Sequence, residues 1–269
     1  MEALSTLTPA ETLIITKGSQ ATFKDLLKYT LIDLLTKKVL VSMDEEHQSH
    51  PIIPVRIISY ISHGPTFLEY KPKMHENVFL NPYHKSNDLQ LAFKHLVKVG
   101  YENAASWKQY IFDYILHSSA LQGCFKEGFF RRLFKPFSLT EKGMALKHSV
   151  DIALDDLQRK LPDLIKSKSP ELNTILATIG GNIYLLESLD FHLLKEFDMS
   201  FKPTSNQRNS ENDVGCSTYG CFAYFDTYSS SFDSDFSSVD GGSSGCSGTS
   251  GCGGGCSGCS GCGGCGGCG

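Results

Sequence analysis

Residues Gly241 to Gly269 consist of fifteen glycines, seven cysteines, six serines and one threonine. With no hydrophobic side chain other than cysteine, this stretch has nothing to bury in a core. The segment before it, Pro203 to Asp240, is rich in Ser, Asn and Asp and poor in aliphatic residues, which predicts disorder. Its spaced aromatics, Phe222, Tyr224, Phe225, Tyr228, Phe232 and Phe236, offer docking on a folded body as the alternative. Folding is therefore expected of the residues up to Lys202, enough for one large or two small domains.

Of the 25 basic residues only Arg208 falls from Pro203 onward, against six of the 29 acidic ones. The body is then close to neutral, which gives no bulk attraction to nucleic acid or anionic lipid. The N-terminus has no basic segment ahead of a long apolar run, so export is not expected. The longest apolar stretch, Ile175 to Leu186, is interrupted by Gly180-Gly181-Asn182 and is far shorter than the ~20 residues that span a bilayer. The body carries a single cysteine, Cys124, which fits a reducing compartment. Together these features predict a soluble cytoplasmic protein with no transmembrane segment.

Along the body, Thr8-Pro9-Ala10-Glu11 reads as a capping box with proline at the first helical position, opening a helix that ends at Lys17 before Gly18. Thr22 opens a second helix with Phe23, Leu27, Thr30, Leu31 and Leu34 on one stripe. Val39 to Met43 is β-prone, and after a polar loop over Asp44 to His50 the alternation Ile53, Val55, Ile57 predicts a hairpin partner. Helix, helix, hairpin is the order of a small winged-helix unit. A second unit follows, with helices over Asn87 to Val99 and Ala104 to Leu121 and an aromatic hairpin over Phe125 to Phe137. At an offset of 80 residues Lys28 aligns with Lys108, Leu31 with Ile111 and Asp33 with Asp113, which suggests duplication. Ser138-Leu139-Thr140-Glu141 reads as a capping box for a long helix, with Leu139, Gly143, Leu146, Val150, Ala153, Leu157 and Leu161 recurring at steps of four and three, that Pro162 should stop. A final helix is expected over Pro170 to Phe197, with Gly180-Gly181 marking a close crossing or a break. The expectation is a mainly α fold with short β-hairpins: units over residues 1–85 and 86–202, a linker over 203–240 and a tail over 241–269.

The pairing of Leu7-Thr8-Pro9-Ala10-Glu11, Leu27, Leu34-Leu35 and Val39-Leu40 with His75-Glu76 and Phe79-Leu80 resembles an uncharacterised bacterial family. Its members look like duplicated small helical domains followed by a Cys/Gly-rich C-terminus, and many are membrane-anchored, which this chain departs from in having no spanning segment. Ala10 to Val41 is similar to the opening of Golgi phosphoprotein 3-like peripheral membrane domains. The resemblance implies architecture and no activity.

The chemistry-bearing residues concentrate in the tail. Cys256, Cys259, Cys262, Cys265 and Cys268 recur every third residue as overlapping C-x-x-C units, and Cys246 and Cys252 precede them. Two thiolates at that spacing can grip one soft ion such as Zn²⁺ or Cu(I), because glycine lets the chain turn both sulfurs inward. The spacing between knuckles that marks a folded zinc finger is missing, so a thiolate cluster without a rigid frame is expected. A bland low-complexity extension and a modified tail are the alternatives. The run containing Arg131, Arg132 and Lys135 among phenylalanines could contact phosphate on a winged hairpin, but a neutral body favours an amphipathic wing with its cations in water. His47, His50, His63, His75 and His84, with Glu45 and Glu46, read as solvated loop residues rather than ligands. Asp33 and Asp113 read as helix-packing residues and Cys124 as a buried thiol. The sequence has no phosphate-binding glycine loop, nucleophile elbow or H-E-x-x-H. These readings point to a non-enzymatic interaction or scaffold protein with an unidentified protein partner and a tail that binds a soft metal or does thiol chemistry. The alternatives are a nucleic-acid-binding regulator and a precursor whose tail is modified.

Overall fold

Thr8 begins the first long helix as its sequence demands: its hydroxyl accepts from the Glu11 amide, and the Glu11 carboxylate accepts from the Thr8 amide at 2.7 Å. The computed structural model describes residues 1–48, 56–86, 88–126, 137–167, 169–186 and 225–240. After a short α1 (Glu2–Thr6), α2 spans Pro9–Lys17 and ends at Gly18 in a positive-φ conformation. Thr22 then caps α3 (Phe23–Thr36), in which nearly every residue from Leu26 on is buried. The chain turns into the ribbon β1 (Leu40–His47) and β2 (Arg56–His63), antiparallel with Leu40 opposite His63 and His47 opposite Arg56. β1 thus continues through Asp44-Glu45-Glu46, where a loop was expected. Pairing to β2 satisfies that backbone while the acidic side chains face water.

A loop over residues 64–76 leads to α4 (Asn77–Lys85), which the sequence analysis missed. β3 is only Leu91–Ala92 and completes the sheet in the order β1-β2-β3. The helix expected from Asn87 therefore starts later, as α5 (Phe93–Ala104). Gly100 lies inside it at a propensity cost of about 1 kcal/mol. The reason is contact: a Cβ there would lie 2.0 Å from Cε1 of the buried Phe79 ring. The next helix is shorter than expected: α6 (Trp107–Gln109) runs into a π-helical turn, Tyr110–Ile115, and a separate 3₁₀ turn covers Ser119–Leu121. The wider π turn places the consecutive side chains Tyr110, Ile111 and Phe112 all inward. Of the expected aromatic hairpin, Phe125 bridges to Leu139, and residues 127–136 lie outside the described residues.

α7 (Glu141–Lys166) buries the stripe Gly143, Val150, Ala153, Leu157 and Leu161 that its sequence announced. Its cap is Thr140, whose hydroxyl accepts from the Gly143 amide, so the expected box at Ser138 is two residues early. Nor does Pro162 stop it. The helix passes through, with Leu161 and Ile165 on either side buried in the core. α8 (Pro170–Ile179) ends where Gly180 takes φ +53°, and a 3₁₀ helix, Gly180–Leu185, follows. The double glycine is both the break and the close crossing foreseen for it, since a Cβ on Gly181 would meet Asp33 Oδ1 at 2.6 Å. The rest of the helix expected to Phe197 lies outside the described residues.

α9 (Phe225–Asp240) corrects the expectation of disorder over 203–240 for its own length. It packs on α3 and α5 and buries Phe232 and Phe236. One connected set of buried apolar side chains runs from Leu4 to Phe236. The fold is mainly helical with one small antiparallel sheet, as expected. Among the described residues no helix is long and apolar enough to cross a membrane.

Candidate functional site

The polar residues cluster in two places. The first is inside the body, where α2, α3, the loop over residues 64–76 and the 3₁₀ turn after α8 meet. Lys73 Nζ donates to Glu11 Oε2 at 2.6 Å, and Thr8 Oγ1 shares a hydrogen bond of 3.0 Å with His75 Nε2. Glu76 accepts from the Lys73 amide at 2.6 Å and from the Tyr70 hydroxyl at 2.7 Å. Lys37, one turn after Asp33 on α3, donates to Asp33 Oδ2 at 2.6 Å and lies 3.8 Å from Glu76. The other Asp33 oxygen accepts from the Gly181 amide at 3.0 Å, and Asn182 donates to the Leu4 and Leu7 carbonyls. Tyr110 donates to the His75 carbonyl and shares a hydrogen bond with Thr30.

Burial sets the charge states. It would raise the Glu11 carboxyl, but His75, the bonded Lys73 ammonium and the Thr8 amide together more than offset it and hold the group below its usual range. Burial drives His75 down to about 4 against the opposing pull of Glu11, so the ring is neutral at neutral pH. Its Nδ1 has no partner among the described residues, so a proton placed there would be a buried unsatisfied donor. Burial raises Glu76, with Lys37 acting in the opposite sense. Lys37 is raised: burial would lower it, and Asp33, Tyr70 and Glu76 outweigh that. Two carboxylates displaced in opposite directions beside a histidine is an acid/base pattern in outline. Glu11 and Glu76 are 0% and 1% exposed, however, so neither carboxylate opens to the surface. The cluster gives the loop over residues 64–76 and the double-glycine turn fixed polar partners.

The second place is the seat of α9, which carries Asp226, Asp233, Asp235 and Asp240 and no basic residue. Asp233 lies 3.3 Å from Lys24 and 3.4 Å from Lys28, and the Tyr101 hydroxyl donates to Asp240 at 3.0 Å. Between these polar contacts Tyr228 stacks on Phe93 at 5.4 Å, and Phe236 meets Tyr101 edge-on at 5.3 Å and Phe23 at 6.1 Å. The helix ends one residue before the Gly/Cys tail.

The residues singled out from sequence fare differently. Cys246, Cys252, Cys256, Cys259, Cys262, Cys265 and Cys268, and Arg131, Arg132 and Lys135, lie outside the described residues, as does His50. His47 is exposed at the end of β1, and the His63 and His84 rings both flank Phe67, at 5.7 and 4.8 Å. His75 corrects the solvated-loop reading, being fully buried. Among the described residues no three His, Cys, Asp or Glu side chains are grouped to hold a metal. Asp33 is buried on α3, bonded to Lys37 and to the Gly181 amide. The Cys124 thiol is buried and raised by that burial, with Lys142 opposing. Missed from sequence were Glu11 beyond its capping role, Lys73, Glu76 and Tyr70. Charged residues in a loop between a strand and a helix ordinarily face water, and only the tertiary crossing buries these. Compared with known protein families, curated proteins and solved structures, the chain has no match.

Proposed function

We propose that the body is a non-enzymatic scaffold that carries the Cys/Gly tail, and that the tail's thiolates bind a soft metal ion such as Zn²⁺ or Cu(I). The observation that carries this reading is the anchorage of α9. Phe232 and Phe236 are sunk among the core side chains, so the residue before Gly241 belongs to a helix packed on the body. The burial of the body's own acid/base groups supports a carrier over an enzyme. Metal binding requires thiolates, releases protons and would order the chain that supplies them. The body's partner is a protein, the compartment is the reducing cytoplasm, and the helix-helix-hairpin order of α2, α3, β1 and β2 supports a winged-helix-like first unit, duplicated in the second.

Elemental analysis with native mass spectrometry of the anaerobically purified full chain, beside a chain ending at Asp240, tests this. Stoichiometric metal in the full chain alone is the expected result. Free thiols without metal in both would overturn it, and an added covalent mass on the tail would replace it with the precursor reading.

A further inference from the structure

α9 and its seat have the division of labour of two separate molecules. The helix carries acid and no base, and the lysines that face it, Lys24 and Lys28 on α3 and Lys94 on α5, are on the seat, where Asp25 also lies 3.8 Å from Lys28. The floor of the seat is aromatic, formed by Phe23, Phe93 and Tyr101, and receives Tyr228, Phe232 and Phe236, spaced four apart on one face of the helix. An aromatic centre with a charged rim is the anatomy of a protein interface. α9 itself is a 16-residue stretch rich in serine, too short and too weak in propensity to hold a helix unaided in water. Its helicity is therefore coupled to being seated.

We propose that the groove between α3 and α5 is a docking site for an acidic aromatic helix, filled in cis by α9, and that the α9 of a second copy fills it in trans. Exchange preserves every contact named above, because the second copy brings the same residues to the same groove. Residues 187–224 join α9 to the rest of the chain, and their contour of about 130 Å reaches a neighbouring molecule. Because the cis helix is tied covalently to its own groove, the self-filled form prevails in dilute solution and exchange grows with local concentration. The inference goes beyond the carrier reading and is independent of the tail's chemistry, since its test contains no metal.

Two full-length variants test it: F232D/F236D, which cannot seat its own helix, and K24E/K28E, which keeps the helix and disables the groove. Each alone should sediment as a monomer, and their mixture should form a one-to-one heterodimer. A fluorescent peptide of residues 225–240 should bind F232D/F236D at least tenfold more tightly than the wild-type chain, and adding K24E/K28E to that variant should abolish the gain. A mixture that stays monomeric, or a peptide that binds all forms alike, overturns the proposal. A full chain with a protease site between residues 203 and 224 removes the question of variant folding. After cleavage the fragment bearing α9 should stay with the body and exchange with added labelled fragment, and immediate loss, or retention without exchange, overturns the proposal as well.

Discussion

His75 is a neutral imidazole buried inside the body, and its proton has a consequence for stability. In the unfolded chain the ring takes up its proton near 6.5, and in the fold only near 4. Between those values the unfolded state binds more protons, so stability falls as pH falls through that window and is undiminished above it. The displacement corresponds to about 3 kcal/mol when complete. His75→Gln should flatten that part of the profile: chemical denaturation at pH 6.5 and pH 4.5 should show a smaller loss in the variant, and identical losses would remove His75 as the cause. Gly181 offers a steric counterpart. An added methyl would be forced against Asp33 and against Pro9 Cγ at 3.0 Å, so Gly181→Ala should destabilise by about 1 to 3 kcal/mol. Thermal melting of the variant beside wild type reads the change, and an unchanged or raised midpoint would mean that the crossing gives way.

Among the elements, α7 holds the clearest internal conflict. Proline in a helix interior removes one amide donor and crowds the preceding turn, at a cost of up to about 3 kcal/mol. α7 carries Pro162 within its length and persists because the buried side chains to either side hold it. Pro162→Ala should therefore raise stability by about 1 to 3 kcal/mol, and a lowered melting temperature would show that the backbone there is shaped around the ring. The same conflict explains what the sequence disclosed and what it withheld. α2, α3 and the buried stripe of α7 were legible because caps and apolar spacing are local signals. The stop at Pro162, the late start of α5 and the existence of α4 depended on tertiary packing, which outweighs propensity. α4 in particular follows directly on Glu76, whose carboxylate is satisfied by Tyr70 and Lys73 from the same loop, a pairing no local pattern encodes.

For the molecule as a whole, the packed body takes in α9 and so reaches as far as Asp240. A chain ending at Asp240 loses no described contact and should match the full chain to within about 0.5 kcal/mol. Phe232→Ala, which empties a site 1% exposed between α3 and α5, should cost about 3 to 5 kcal/mol. Equal melting of all three would mean that α9 contributes nothing to the fold. Composition alone drew the boundary too early, because serine and aspartate dominate the count over 225–240 while three aromatics on one face decide its fate.

The hydrogen bond between Tyr101 and Asp240 fixes where the tail departs, and covalent geometry then fixes how far each thiol can travel. Cys246, six residues on, lies within about 20 Å of that corner, whereas Cys268 has a leash of about 100 Å. The thiols are thereby graded by radius. A thiolate cluster that takes in Cys246 must therefore form within about 20 Å of Asp240, whichever of the other thiols it recruits.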